Sequence, residues 1–140
     1  MSYSLETYAF PWHYVAEVLK DGEPFNAENE LERKYWGKKH FRFGVEKAKL
    51  IIEAINFIKH FLDLYEKISG LSMRDKKQEF ENCYAEICDD YQPKGDNIFP
   101  YVLLTSKMNS RIKIGFGKVK SEALFSLRIE ISKFIELYGI

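Results

Sequence analysis

The sequence predicts one α+β domain that spans residues 1–140, with an antiparallel sheet and about three helices packed on one face. Short stretches in which apolar and polar residues alternate indicate strands, and longer stretches with an apolar residue every three or four positions indicate helices. A strand, a glycine and a helix follow one another twice, which suggests two related units. The apolar fraction of 46% is that of a chain that folds around its own core.

The N-terminal part of the chain is the most ambiguous. Residues 3–9 alternate weakly and favour an edge strand, which Pro11 interrupts. Residues 12–20 fit both a helix and an alternating strand, and the Asp21-Gly22 pair behind them either ends a helix or forms a tight hairpin turn. We favour the strand. A short helix over residues 27–36 is expected next, with a loop of helical character as the alternative.

The most regular stretch is the one from residue 38 to residue 68. Phe41 and Phe43 alternate with His40 and Arg42, as in a half-buried strand. Gly44 marks the change to a long amphipathic helix with the apolar stripe Ala48, Ile51, Ile55, Ile58, Leu62 and Tyr65.

The next segment, residues 73–91, is predicted to be a helix. Its apolar residues Phe80, Cys83, Tyr84, Ile87, Cys88 and Tyr91 recur at helical spacing. The two cysteines are five positions apart, lack the spacing of metal ligands, and are expected to be reduced thiols of a cytosolic protein. A loop is expected over residues 92–97.

A second hairpin and helix complete the chain. Residues 98–105 and 111–116 are expected to pair as strands, and a helix is expected over 118–138. This unit aligns with the central one at an offset of 73 residues, with identical pairs such as Gly44 and Gly117 or Lys47 and Lys120. If the repeat is structural, residues 12–20 mirror the strand at 98–105. The alternative is that any two amphipathic helices behind strands align this well.

Composition argues against several functional classes. Basic and acidic residues number 21 each, so no global field attracts nucleic acid or membrane. Neither a secretory signal nor a membrane span is visible, which indicates a cytoplasmic protein. The three histidines are scattered without ligand spacing, and no cofactor, metal or catalytic motif is recognisable. The Gly115 to Lys118 stretch lacks the remaining residues of a phosphate-binding loop. We therefore expect no enzymatic activity.

Two charge features are candidates for binding. The first is an acidic face on the predicted 73–91 helix, whose charges run against the helix dipole and so favour a basic protein partner. Its residues are Asp75, Glu79, Glu86, Asp89 and Asp90, with Tyr91 as an aromatic anchor. The second is a basic and aromatic set with the composition of a single-strand-binding or RNA-binding surface, formed by Trp36, Arg42, Arg111 and Lys113.

The FRFG segment, the AKLIIEAINFIKHFL helix and the acidic side resemble bacterial toxin-immunity proteins over residues 12–68. The resemblance implies a small cytosolic inhibitor that neutralises a cognate toxin, or a similar basic effector, by direct binding. The alternative function is a nucleic-acid-binding module that uses the basic and aromatic set.

Overall fold

In the computed structural model, residues 2–25, 40–67, 76–88 and 100–139 are described. They form two antiparallel sheets and four helical segments, which confirms the α+β class, although the helix count differs slightly from the prediction. The helix expected at 27–36 and the loop expected at 92–97 lie outside the described residues.

The first sheet is built around strand β2. Strand β1 (Tyr3–Phe10) pairs with β2 (His13–Lys20) along its whole length, and β3 (Glu23–Pro24) and β4 (Phe41–Gly44) pair with the other edge of β2. The predicted edge strand and the strand favoured at 12–20 are both confirmed. Alternation places Ala16, Val18, Phe41 and Phe43 in the core and leaves Arg42 on the opposite face.

The Asp21-Gly22 pair is the hairpin turn between β2 and β3. Both residues have positive φ angles, 54° and 80°, the combination that a two-residue turn of this twist requires. The Asp21 carboxylate also accepts a hydrogen bond of 2.8 Å from the backbone N–H of Ser2. The turn therefore ties the start of β1 to the end of β2.

The long central helix is present, with one distortion. It consists of α1 (Val45–Glu53) and α2 (Ile55–Lys67), separated at Ala54, where φ is −97° and ψ is 17°. Hydrogen bonds of 3.0 Å from Ala54 N to Leu50 O and from Ile58 N to Ala54 O continue the helical pattern through the distortion. The predicted apolar stripe lies against the core, while His60 is exposed as expected.

The second sheet corrects the prediction of a helix over residues 73–91. In the described part of that segment, β5 (Lys77–Glu79) and β6 (Cys83–Cys88) are antiparallel strands. Cys83, Ala85 and Ile87 alternate into the core, and the long pairing of β6 with β7 (Tyr101–Ser106) stabilises the extended form. Strand β8 (Lys113–Phe116) completes the order β5-β6-β7-β8 and confirms the predicted second hairpin.

The two units repeat one another. Helices α3 (Lys118–Ser126) and α4 (Arg128–Tyr138) begin 73 residues after α1 and α2, and their distortion at Leu127 has φ −98° and ψ 14°, close to the values at Ala54. Gly44 and Gly117, which precede the helices, have φ −87° and −85°. The sequence repeat is thus also a structural repeat. Strand β7 occupies the position in the second unit that β2 occupies in the first, as the repeat predicts.

The units share one core. Helix α1 contacts α4, and α2 contacts α3, so each helix pair packs across the repeat. Fully buried side chains from both units line this interface, among them Ile51, Ile58, Phe61, Leu124, Ile131 and Phe134. This arrangement leaves one end of the first sheet, where β1 turns into β2, beside the beginning of α1.

Candidate functional site

The most exposed aromatic residues of the first sheet lie at the β1–β2 turn. Phe10 pairs with His13, so that only Pro11 and Trp12 connect the strands. Proline at the first turn position fixes the backbone there and leaves Trp12 at the tip, with 83% of its surface exposed. Phe10 and Tyr14 are 43% and 40% exposed, which is unusual for three large aromatic side chains in five positions.

These side chains form one wall of a groove of about 820 Å³, hereafter the aromatic groove. The β4–α1 junction, Arg42 to Lys47, forms the opposite wall. Ile112 and Tyr138 from the second unit complete the lining. Tyr138 stacks on Tyr14 with ring centroids 4.1 Å apart, and Phe10 stacks on His13 at 5.1 Å, so the walls are held by aromatic contacts.

Arg42 is positioned by a buried carboxylate. Glu17, opposite Arg42 in the sheet, is only 2% exposed. One Glu17 oxygen, Oε1, lies 2.8 Å from Nε of Arg42 and 2.7 Å from Nδ1 of His40, and the other accepts a 3.0 Å hydrogen bond from the Tyr8 hydroxyl. The Arg42 guanidinium also lies over the Tyr8 ring at 5.2 Å. The ion pair uses only Nε, so the four N–H donors on the terminal nitrogens of Arg42 take no part in it.

The pKa values around Glu17 follow from these contacts. Burial alone would raise the pKa of the Glu17 carboxyl, but hydrogen bonds from His40, Arg42 and Tyr8 outweigh it and hold the pKa below its usual range. Hydrogen bonds to Glu6 and Glu17 raise the pKa of the Tyr8 phenol to about 12. Glu17 is therefore an anion that balances the charge of Arg42 at neutral pH.

Lys47 supplies the remaining positive charge of the aromatic groove. It is half-buried on the first turn of α1 and has no ion-pair partner among the residues that the structure describes. The neighbouring Glu46 lies 3.7 Å from Lys49, and Arg42 is paired with Glu17. Among the described residues that line the groove, Lys47 is thus the lysine or arginine without an ion-pair partner.

The residues predicted for an acidic docking face are arranged differently. The helical face does not exist in the described chain, because Glu79 lies on β5 and Glu86 on β6. Both line a separate shallow cavity of about 470 Å³ on the outer side of the second sheet, together with Lys77, Tyr84 and Thr105. Glu79 is paired with Lys107, and Glu86 lies opposite Lys77, so this surface is of mixed charge. Asp75, Asp89, Asp90 and Tyr91 lie outside the described residues.

The predicted nucleic-acid set is only partly brought to the aromatic groove. Arg42 lines it, whereas Arg111 and Lys113 flank Ile112 in the chain without lining the cavity themselves. Lys113 faces the outer side of the second sheet beside Thr105. Trp36 lies outside the described residues.

Sequence reasoning missed Phe10, Trp12, Tyr14 and Lys47 as site residues. A signal was present, since three aromatic residues and a histidine surround Pro11 within five positions. Their exposure depends on the two-residue turn between β1 and β2. That turn was not predicted, because residues 12–20 fit both a helix and a strand.

Among the described residues, no three histidine, cysteine or carboxylate side chains are grouped so that they could hold a metal ion. None of the helices in the described ranges has the length and apolarity needed to cross a bilayer.

In comparisons with known proteins, no family model matches this chain, and the search of curated proteins found no similar sequence.

Proposed function

We propose that this protein is an inhibitor that binds a partner protein directly, as toxin-immunity proteins do, and that the partner docks in the aromatic groove. The observation that carries the proposal is the exposure of Trp12 between Phe10 and Tyr14 at the rim of a large open groove. Tryptophan, tyrosine and arginine are enriched among the residues that dominate the energy of protein interfaces, and tryptophan and tyrosine bury a large area at small entropic cost. Three exposed rings in one place gain most from a partner that covers them.

The rigidity of the aromatic groove supports the same function. Apart from Trp12 and Ile112, the lining of the groove belongs to strands and helices, and stacking on Tyr138 and the Glu17–Arg42 pair hold Tyr14 and Arg42 in place. A preformed surface loses little conformational entropy when it binds. The predicted acidic docking face receives no such support, since lysine side chains balance Glu79 and Glu86.

A nucleic-acid-binding function is less well supported. Single-stranded nucleic acids require aromatic platforms together with a continuous track of cations. The aromatic groove has the platforms, but of the two described cations that line it, Arg42 is neutralised by Glu17, and only Lys47 has no ion-pair partner among the described residues. Its charge therefore suits a protein surface better than a phosphate backbone.

The test is protection against a toxic partner. The chain is co-expressed with the product of the gene next to its own, and growth is measured with and without induction of that product. We expect growth arrest without the chain, protection with it, and loss of protection with Trp12→Ala. In calorimetry with the purified pair, Trp12→Ala should weaken binding by about thirtyfold or more, as for a typical interface anchor.

The matched control is Tyr84→Ala, which removes an aromatic residue that is 50% exposed on the outer side of the second sheet. It should leave both protection and affinity unchanged. If Tyr84→Ala abolishes protection and Trp12→Ala does not, the partner uses the second sheet and the proposal for the aromatic groove is wrong.

A further inference from the structure

The repeat supplies an internal comparison for the aromatic groove. Lys47 and Lys120 are both the third residue of the first helix in their unit, and they lie 73 positions apart. The two lysines thus occupy equivalent places, one at the open groove and one in the interior. Their different surroundings show what is missing at Lys47.

Two aromatic rings of the other unit lie over Lys120. It is only 2% exposed, and its Nζ atom lies 5.5 Å from the ring centroids of both Phe25 and Phe41. Phe25 follows β3, in the connection between β2 and β4, and Phe41 lies on β4. Aromatic side chains thus form part of the cover of a buried lysine at this helix position.

The positions equivalent to Phe25 and Phe41 in the second unit hold aliphatic residues. The β7–β8 connection, which corresponds to the one that carries Phe25, contributes Ile112 to the aromatic groove. The position equivalent to Phe41 is Ile114. Neither side chain has a ring, and Lys47 stays half-exposed at the groove.

Charge defines the second requirement for an occupant. Covering Lys47 removes water from its ammonium group, and this costs free energy unless a counter-charge replaces the water. Among the described acids near it, Glu17 is bonded to Arg42, and the exposed Glu46 lies 3.7 Å from Lys49. A complementary partner therefore brings its own carboxylate.

We infer that the aromatic groove takes an acidic partner segment that carries an aromatic side chain. Its ring fills the space over Lys47, as Phe25 does over Lys120, and a carboxylate on the same segment pairs with the Lys47 ammonium. This inference rests on the proposed function and names the chemistry of the partner segment.

The test is peptide titration of the whole chain labelled with ¹⁵N, followed by two-dimensional NMR. The probes are acetyl-EDFDE-amide, acetyl-EDADE-amide and acetyl-KKFKK-amide. The reporter is the indole N–H peak of Trp12, identified by its loss in Trp12→Ala. We expect the first peptide to bind at least about fivefold more tightly than the other two, since only it offers both ring and carboxylates.

Two variants sharpen the test. Lys47→Gln should weaken binding of the acidic aromatic peptide about fivefold and remove its advantage over the basic one. Ile112→Phe should supply the missing ring from within the chain and so weaken binding of the acidic aromatic peptide by about tenfold or more. The dispersion of the amide spectrum reports that each variant is folded.

Equal binding of the three peptides, a preference for the basic peptide, or tighter binding of an eight-residue oligothymidylate would each overturn the inference. The growth test separates this failure from that of the proposed function. If Trp12→Ala loses protection but the three peptides bind equally well, the proposed function stands, and the inference that the partner segment is acidic and aromatic is rejected. Selective peptide binding together with no protection by the wild-type chain rejects the proposed function instead, and full protection by Trp12→Ala rejects docking of the partner in the aromatic groove.

Discussion

At the scale of single residues, the most constrained side chain is that of Glu17. Its carboxylate is buried in the middle of β2 and bonds to residues of both neighbouring strands, Tyr8 on β1 and Arg42 on β4. A buried charge is tolerated only when its hydrogen-bonding positions are filled, and here Tyr8, His40 and Arg42 fill them. The same bonds orient Arg42 toward the aromatic groove, which links stability to the site.

We expect Glu17→Gln to lower the free energy of unfolding by about 1–3 kcal/mol at pH 7, because charge-assisted bonds to buried partners are lost. The pKa of Glu17 is held below that of an unfolded carboxyl. Its contribution is therefore present above the unfolded pKa and disappears as pH falls through the folded value. Urea unfolding at pH 7 and pH 3 should show the difference between wild type and variant shrinking at low pH.

Glu6→Gln is the control for this measurement. Glu6 lies opposite Glu17 on the same face, is exposed, and accepts a 2.8 Å hydrogen bond from the same Tyr8 hydroxyl. Its replacement should change stability by less than about 0.5 kcal/mol. Equal losses for both variants would show that burial of Glu17 has no energetic consequence.

At the scale of elements, the β2–β3 turn depends on Gly22. A Cβ there would meet no atom within 4 Å, so Gly22→Ala acts only through the φ angle of 80°. We expect a loss of about 1–2 kcal/mol in the free energy of unfolding, since alanine disfavours the left-handed region. Asp21→Asn tolerates the φ of 54° and retains a side-chain oxygen, so its unfolding midpoint in urea should stay close to that of the wild type.

Another connection joins the end of α1 to the turn between β5 and β6. The Glu53 carboxylate accepts hydrogen bonds from Asn82, 2.9 Å from its backbone N and 2.8 Å from its side-chain nitrogen. A double-mutant cycle with Glu53→Ala and Asn82→Ala should give a coupling of about 0.5–3 kcal/mol, because both substitutions remove the side-chain bond. As a control, Glu136→Ala, at an exposed position of α4, should show no coupling free energy with Asn82→Ala.

The elements also show how far the sequence predicts the structure. The long helices and the second hairpin were predicted because their apolar periods are distinct, whereas the strand at 12–20 was favoured only through the repeat. The β5–β6 region was mistaken for a helix because Cys83 and Ile87 also match helical spacing, and only pairing with β7 decides for the strand. The aromatic groove was missed because it assembles Trp12, Lys47 and Tyr138 from distant segments. Neither distortion, at Ala54 or Leu127, has a proline or glycine to signal it.

At the scale of the whole molecule, the two repeated units share one core but differ around Lys47 and Lys120. The helices of each unit pack on those of the other, so neither unit buries its apolar face alone. Equivalent core positions are retained, as in Phe61 and Phe134, whereas the surroundings of Lys47 and Lys120 have diverged.

A shared core predicts that the two units unfold together. Ile58 and Ile131 are equivalent residues of α2 and α4, and both are 0% exposed. We expect Ile58→Val and Ile131→Val each to lower global stability by about 0.5–1.5 kcal/mol. Because the core is continuous, each substitution should reduce the protection of the slowest-exchanging amides in β2 and in β7 by the same free energy. Native-state hydrogen exchange measures both strands in one experiment. A loss confined to the first sheet for Ile58→Val, and to the second for Ile131→Val, would show two independent folding units instead.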